Sequence, residues 1–274
     1  MSRASVLAAA VLLALGLPRA RLGAEAPPVA LGGPDIVKLD WSVRAVTPVD
    51  LDGDKLMDLA LIDNDRATIE LLYQKKPGAP DDPAKPDRVN RWEPVLEDAR
   101  FRRVSVTTGV TMFDLVVGDL NGDGRPDLVY TGDAQALTLR YQQADGTWQE
   151  KKITEAPTPI QMLGSLKIGD LDGDKRPDLA MLGRQEIAIF RQQADGTLAP
   201  PERLALADEN CYGLEFVDVN SDGRPDLVYL ANGNRDVLRV RLQTSSRQFG
   251  PDSGSGCTHS GYGPAIIGRS NTVP

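Results

Sequence analysis

Aspartate residues recur in this sequence at a spacing that suits a divalent cation. The clearest segment starts at Asp50, where Asp-Leu-Asp-Gly-Asp is followed after three further residues by Asp58. If Asp50 is position 1, side-chain oxygens fall at positions 1, 3, 5 and 9, and the backbone carbonyl of position 7 can point inward. One water molecule would complete the six to seven oxygens that calcium prefers. The segment therefore predicts a calcium loop.

The same pattern occurs four times without gaps. The loops start at Asp50, Asp119, Asp170 and Asp218. One cation per loop gives about four calcium ions. The predicted ligands, in chain order, are Asp50, Asp52, Asp54, Asp58, Asp119, Asn121, Asp123, Asp127, Asp170, Asp172, Asp174, Asp178, Asp218, Asn220, Asp222 and Asp226. Four loops with identical spacing argue against the simpler interpretation that these Asp-Gly-rich stretches are only turns.

The residue types favour calcium over other metals and over an EF-hand. No cysteine or histidine lies in the loops, so the usual zinc ligands are missing. Magnesium demands stricter octahedral geometry and keeps its water. An EF-hand needs an acid at position 12 and a helix on each side, but position 12 is held by Leu61, Tyr130, Met181 and Tyr229. We therefore expect each loop to join two strands and its calcium to be structural.

Three other loop positions also follow a pattern. Glycine stands at position 4 or 6, where it lets the backbone curl around an ion. Proline stands at position 8 of the last three loops and gives the final ligand a rigid approach. Arginine recurs at position 7 as Arg125, Arg176 and Arg224, which we expect to pair with neighbouring acids.

The segments around the loops have the pattern of short strands. Each repeat of about 50 residues offers four of them, which is typical of a propeller blade. The hexapeptide at 142–147 recurs at 192–197, with an Asp-Gly hairpin signal in each copy. Residues 76–94 contain five prolines and predict an inserted loop. The expected fold is all-β, a β-propeller-like array with four recognisable four-stranded antiparallel blades. We expect an incomplete array rather than a closed four-blade ring, because the tail after Arg241 lacks a convincing strand that could return and complete the first blade.

These repeats resemble the VCBS and FG-GAP family, whose loops read D-x-[DN]-x-D-G-x-x-D-L. The resemblance covers about residues 40–240. It implies calcium between the first two strands of each blade, as in the N-terminal head of integrin α-subunits. The Gly-Ala-Pro of FG-GAP repeats does not stand after each loop, however, where the chain has Val129-Tyr-Thr-Gly132 or Ala180-Met-Leu-Gly183 instead, and Leu56-Met57 replaces the Arg-Pro of the other loops. The chain is therefore nearer the bacterial VCBS type, and an integrin-like function is less well supported.

The N-terminal residues have the features of a secretory signal. Arg3 precedes an apolar run, and Ala24 and Ala26 form a cleavage motif. An uncleaved anchor is the alternative, although the run is short for a membrane span. We expect a signal peptide over 1–26, propeller repeats over 27–245 and a disordered or truncated tail over 246–274. The mature protein would be secreted, periplasmic or on the cell surface, with no stable membrane span.

The formal net charge of -8 disfavours nucleic acid and anionic membranes as partners. No catalytic or nucleotide-binding motif is present, so no catalytic residue and no cofactor-binding residue besides the calcium ligands is predicted. The first hypothesis is a binding or adhesion module for an unknown protein or polysaccharide, with self-association through exposed blade edges. The alternatives are part of a secreted carbohydrate-active enzyme and a fragment of a longer propeller. Cys211 and Cys257 permit one disulfide, which the sequence leaves undecided.

Overall fold

The computed structural model describes residues 37, 39–76, 100–133, 137–209, 211–231, 237–245 and 247–254. The expected signal peptide and Cys257 lie outside these residues, as does the expected inserted loop from residue 77 onward. Within the part that is described, no helix is long and apolar enough to span a bilayer.

The structure is all-β and consists of four small antiparallel sheets arranged as a four-blade β-propeller, which confirms the expected blades. Blade 1 contains β1 (Val43–Val49), β2 (Asp58–Asp63), β3 (Thr68–Gln74) and β4 (Phe101–Thr107). Blade 2 contains β5 (Met112–Gly118), β6 (Asp127–Gly132), β7 (Leu137–Gln142) and β8 (Trp148–Ile153). Blade 3 contains β9 (Leu166–Gly169), β10 (Asp178–Leu182), β11 (Glu186–Phe190) and β12 (Glu202–Ala205).

Blade 4 extends further along the chain than the sequence indicated. It contains β13 (Tyr212–Val217), β14 (Asp226–Leu230) and β15 (Leu238–Arg241). A hairpin of β16 (Gln243–Ser245) and β17 (Gln248–Phe249) follows, and β18 (Ser253–Gly254) then pairs with β15 as the fourth strand. Strands therefore follow Arg241, but among the described residues they pair within blade 4 or with each other, and none joins the sheet of blade 1. A two-residue strand in a Gly/Ser-rich stretch carries no period-2 signal, because alternation needs several residues.

Each blade packs against the next through the alternating faces of its strands. In β6, Leu128 and Tyr130 face the cluster shared with blade 1, whereas Val129 faces the cluster shared with blade 3. In β10, Met181 faces blade 2 and Ala180 faces blade 4. Side chains alternate between the two faces of a strand, so a strand buried on both faces is apolar almost throughout. The second strands are the most buried part of the fold for this reason.

The far face of blade 4 is different. The three apolar clusters of the described residues join blades 1 and 2, 2 and 3, and 3 and 4, and none of them joins blade 4 to blade 1. Val228 and Leu230, which point away from blade 3, are only half-buried. Strands β1 and β18 also belong to different sheets. The chain therefore ends its array on an apolar face that no described blade covers.

Candidate metal centre

The four aspartate-rich loops each connect the first and second strands of a blade, as predicted. We name them loop 1 (residues 50–58), loop 2 (119–127), loop 3 (170–178) and loop 4 (218–226). In every loop the position-9 aspartate is also the first residue of the second strand. The sheet therefore fixes one end of the loop, and the other end leaves the first strand at position 1.

A shared network of backbone hydrogen bonds gives the loops the same path. The backbone N–H at position 6 donates to Oδ2 of the position-1 aspartate at 2.8–2.9 Å in all four loops. The N–H at position 7 donates to Oδ1 of the position-5 aspartate at 2.9–3.0 Å. These bonds curl the backbone around the side-chain oxygens, which are the atoms that a cation would contact.

The curl requires left-handed backbone at positions 4 and 6, whichever residue stands there. Gly122 and Gly124 have φ of 75° and 83° in loop 2. Lys175 occupies position 6 of loop 3 with φ of 69°, and Ser221 occupies position 4 of loop 4 with φ of 61°. A residue with a Cβ is strained in this region. The predicted role of glycine in curling the backbone is confirmed. The non-glycine residues at these positions keep the same conformation at a cost in conformational free energy.

Acidic groups come together most closely in loops 1 and 3. Asp50, Asp52 and Asp58 offer carboxylate oxygens within 4.8 Å of one another, and Asp170, Asp172 and Asp174 do the same. Two acidic triads that could hold a metal ion are therefore present. Their oxygen-only donor set fits calcium better than zinc.

Loops 2 and 4 have an asparagine at position 3, as the sequence shows. The Nδ2 of Asn121 donates to Oδ2 of Asp123 at 2.9 Å, and the Nδ2 of Asn220 donates to Oδ2 of Asp222 at 3.0 Å. The asparagine thus replaces one carboxylate by a neutral amide and donates a hydrogen bond to a second carboxylate of the same loop. Among the described residues, these two loops do not form an acidic triad.

The position-9 aspartate has a second role that the sequence did not indicate. It is at most 1% exposed in every loop. Its Oδ2 accepts the N–H of position 2 at 2.8–3.2 Å. Its Oδ1 accepts the N–H of a glutamine at the end of the third strand or two residues beyond it, at 2.7–3.0 Å. The four glutamines are Gln74, Gln142, Gln192 and Gln243. Oδ2 of Asp178 also accepts a bond from Nη1 of Arg191 at 2.9 Å. The other carboxylate oxygens keep a second lone pair, so these bonds leave room for a metal contact.

Burial shifts the protonation of these carboxyl groups. It raises the pKa of Asp127 to about 6, against two lowering backbone hydrogen bonds and with a further raising effect from the charges of Asp123 and Asp119. Burial also raises the pKa of Asp58 and of Asp178. A cation in the loop would oppose this effect, because a nearby positive charge favours the ionised form.

The position-7 arginines hold the position-5 acids, as expected. The guanidinium groups of Arg125, Arg176 and Arg224 pair with Asp123, Asp174 and Asp222. Each Nε also donates to the backbone carbonyl of Gln142, Gln192 or Gln243 at 3.0–3.2 Å. Loop 1 lacks this arginine, and there Lys76 lies 3.5 Å from Asp54.

A polar cleft of about 270 Å³ adjoins loop 2. Its lining includes Asn121, Asp123, Tyr141, Gln149, Lys151 and Thr197. Blade 3 contributes the Asp195–Thr197 turn, where an added Cβ on Gly196 would meet the backbone oxygen of Asn121 at 2.1 Å. The lining therefore combines an aromatic residue, amides and a lysine beside a candidate metal loop.

Cys211 is buried in the cluster between blades 3 and 4, and it is a free thiol among the described residues. Burial raises its pKa to about 11, which makes it unreactive.

The fold and loops define a class of protein, a β-propeller built from repeats with acidic loops between the first two strands. Residues 119–181 and 170–229 match the model of the FG-GAP-like repeat family. The two matches run from loop 2 into blade 4, which confirms the resemblance to this family.

Solved structures with similar coordinates are remote from this chain. A Photorhabdus luminescens Tc holotoxin pore is 20% identical with a TM-score of 0.43, over 73% of this chain and 9% of that one. A lectin from Agrocybe aegerita that recognises non-reducing terminal N-acetylglucosamine is 14% identical, with a TM-score of 0.49. The similarity covers 76% of this chain and 52% of that one. A TcdB2–TccC3–Cdc42 structure is 15% identical, with a TM-score of 0.33. The similarity covers 75% of this chain and 14% of that one. The chain spans about half or less of the length of these proteins. No curated protein sequence matches it.

Proposed function

We propose that the protein is an exported calcium-binding β-propeller that acts as a binding or adhesion module, with one calcium ion in each of its four loops. The observation that carries the proposal is the common loop geometry. All four loops share the same backbone bonds to the aspartates at positions 1 and 5, and in loops 1 and 3 three carboxylates lie within 4.8 Å of one another. An Asx turn requires only that an aspartate side chain accepts the N–H of a nearby residue, as positions 1 and 5 do here. The buried acid at position 9 is an additional and costly feature.

The side chains at positions 1, 3, 5 and 9 would hold the cation. Calcium would supply positive charge that offsets the repulsion between the acids of each loop, and the loop oxygens would coordinate it. The loop acids would hold the first and second strands of a blade at a fixed separation. The ion is therefore proposed to stabilise the blade, and ligand recognition would take place on the surface that the blades hold in place.

The polar cleft beside loop 2 supports the binding part of the proposal. Tyr141 is half-buried and lines the cleft, and Gln149 and Lys151 offer hydrogen-bond donors. An aromatic face with nearby polar groups suits a sugar, because the apolar face of a sugar ring can stack while its hydroxyls are bonded. A polysaccharide is therefore the ligand class that we propose for this cleft.

Isothermal titration calorimetry on chelator-stripped protein tests the calcium proposal. The wild type should bind about four calcium ions, and Asp52→Ala should remove or strongly weaken one of them. Asp145→Ala is a matched control, because Asp145 lies in an Asp-Gly turn and accepts bonds from Thr147 outside the loops. Binding that is absent in the wild type, or lost equally in Asp145→Ala, would contradict the proposal.

Two further measurements test export and ligand class. N-terminal sequencing of protein recovered outside the cytoplasm should begin at Pro27 if cleavage follows Ala26. A polysaccharide panel should show binding that falls at least about tenfold in Tyr141→Ala, a loss in the range expected for a buried aromatic contact. Retention of the uncleaved N-terminus, or equal binding by Tyr141→Ala, would contradict the respective part.

A further inference from the structure

Three buried glutamines occupy equivalent positions in blades 2, 3 and 4. Gln142, Gln192 and Gln243 are 8%, 2% and 1% exposed. Their backbones serve the loop of their own blade, since each N–H donates to the position-9 aspartate and each carbonyl accepts the position-7 arginine. Their side chains do something different.

Each glutamine side chain reaches the loop of the preceding blade. The Nε2 of Gln142 donates to the backbone oxygen of Leu51 in loop 1 at 3.2 Å. The Nε2 of Gln192 donates to the backbone oxygen of Asp119 in loop 2 at 3.1 Å. The Nε2 of Gln243 donates to the backbone oxygen of Leu171 in loop 3 at 2.6 Å. The same contact therefore crosses all three junctions between successive blades.

The accepting residues sit at the start of the loop, next to the proposed ligands. Leu51 also donates its N–H to Asp58 at 2.8 Å, and Leu171 donates to Asp178 at 3.2 Å. In loops 1 and 3, one residue thus links the glutamine to the position-9 acid. In loop 2 the accepting carbonyl belongs to Asp119, which is the position-1 ligand itself. The glutamine therefore fixes the first ligands of the loop relative to the neighbouring blade.

The amides are kept in the core although burial costs free energy. The Oε1 atoms of Gln142 and Gln192 are buried and have no hydrogen-bond partner among the described residues. Leucine or methionine would fill the same space without this cost. The donation through Nε2 is thus the contact that a glutamine provides and an apolar residue does not.

We propose that Gln142, Gln192 and Gln243 are positioning residues for the calcium loop of the preceding blade, so that each of loops 1–3 forms a site assembled from two blades. The proposal rests on the proposed calcium binding and adds residues outside the loops to it. Loop 4 provides an internal comparison. Among the described residues, no glutamine side chain from another blade donates to loop 4. Its position-2 residue, Val219, is 51% exposed, whereas Leu51, Leu120 and Leu171 are at most 1% exposed.

The test is a calcium titration resolved by loop, with Gln142→Met as the variant. Methionine keeps the length of the side chain and removes the donor. The amide resonance of Gly53 reports loop 1 and that of Gly122 reports loop 2, in chelator-buffered calcium. We expect loop 1 to bind calcium about two- to tenfold more weakly, as one hydrogen bond warrants, while loop 2 changes by less than about twofold.

Gln143→Met is the matched control. Gln143 follows in the chain, but its Nε2 donates to the carbonyl of Tyr141 in its own blade at 3.1 Å. This variant should leave loop 1 unchanged. A general loss of packing in Gln142→Met would weaken loops 1 and 2 together, and that result would overturn the inference. Unchanged calcium affinity at Gly53 would overturn it too.

A second variant keeps the test decisive if Gln142→Met does not fold. Gln243→Met should weaken loop 3, reported by Gly173, and leave loop 4, reported by Gly223, within about twofold. Equal effects on both loops would overturn the inference. Wild-type protein that binds no calcium at any of these glycines would instead overturn the proposed function, so the two failures are distinguishable.

Discussion

The backbone N–H of Gln142 donates a 3.0 Å hydrogen bond to Oδ1 of Asp127, fifteen residues earlier in the chain. The other oxygen of Asp127 accepts the N–H of Leu120 at 2.9 Å. One buried carboxylate therefore ties the start of loop 2 to the third strand of the same blade. The arrangement repeats in all four blades, so position 9 is part of the fold as well as a proposed ligand.

Replacement of Asp127 should destabilise the protein even without calcium. Asp127→Ala leaves two buried N–H groups without acceptors, which should lower the free energy of unfolding by about 1–3 kcal/mol in chelator. Asp123→Ala is the control, because Asp123 is a more exposed proposed ligand of the same loop and should change stability by less than about 0.5 kcal/mol in chelator. Urea unfolding of both variants measures the difference. Equal losses would contradict the dual role of position 9.

Calcium should change the titration of Asp127. Burial raises its pKa from 3.8 to about 6 in the absence of metal, so protonation favours the native state at low pH. This contribution to stability is lost as the pH rises from 3.8 to about 6. Calcium favours the carboxylate and should bring the pKa below 4, the usual range for aspartate. Carboxyl carbon NMR of Asp127 measures its pKa in chelator and in calcium. The same pKa under both conditions would argue against coordination by this residue.

Two turn glycines give a matched test of the contact between blade 3 and loop 2. Gly146 and Gly196 have φ of 79° and 80°, so alanine is equally strained at both. Only at Gly196 would the new methyl group meet a backbone atom, the oxygen of Asn121 at 2.1 Å. Gly196→Ala should therefore lower the melting temperature further than Gly146→Ala and weaken calcium binding in loop 2. Identical melting temperatures for the two variants would show that the contact between Gly196 and Asn121 accommodates the methyl group, which would contradict this prediction.

The uncovered face of blade 4 should cause self-association. Val217, Val219 and Leu238 are about half exposed on this face. Val219 stands at position 2 of loop 4, where each of the other loops has a leucine that is fully buried. Terminal repeats with an apolar outer face tend to associate with another copy. Sedimentation velocity should show dimers or larger species at micromolar concentration, and Leu238→Glu should shift them toward monomer. Met162→Glu, at an equally exposed apolar site between blades 2 and 3, should not; monomeric wild type would contradict the prediction.

The sequence predicted the blades well because the information was local and repeated. The loop and the second strand recur in all four repeats and the Asp-Gly turn in two of them, so each copy reinforced the same interpretation. The end of blade 4 was missed for the opposite reason. Strand β18 is two residues long and joins β15 after an intervening hairpin, which leaves no periodic signal in the sequence.

The site was predicted at the level of loops and not of the contacts between them. The repeated Gln142 and Gln192 were visible as part of the hexapeptide at 142–147 and 192–197, but they only marked a period. Their contacts with Leu51 and Asp119 span 91 and 73 residues, and no local pattern predicts which carbonyl a buried amide will meet. Gln243 lacks the rest of the hexapeptide and could be identified only from its place in the structure.

Thermal unfolding in chelator and in millimolar calcium tests the central claim most directly. A cation that binds only the native state adds stability by mass action, and several sites add together. A gain of several kcal/mol in a domain of this size should raise the melting temperature by more than about 10 °C. Magnesium at the same concentration should give a much smaller increase. Equal melting temperatures in chelator and in calcium would contradict the assignment of the four loops as calcium sites.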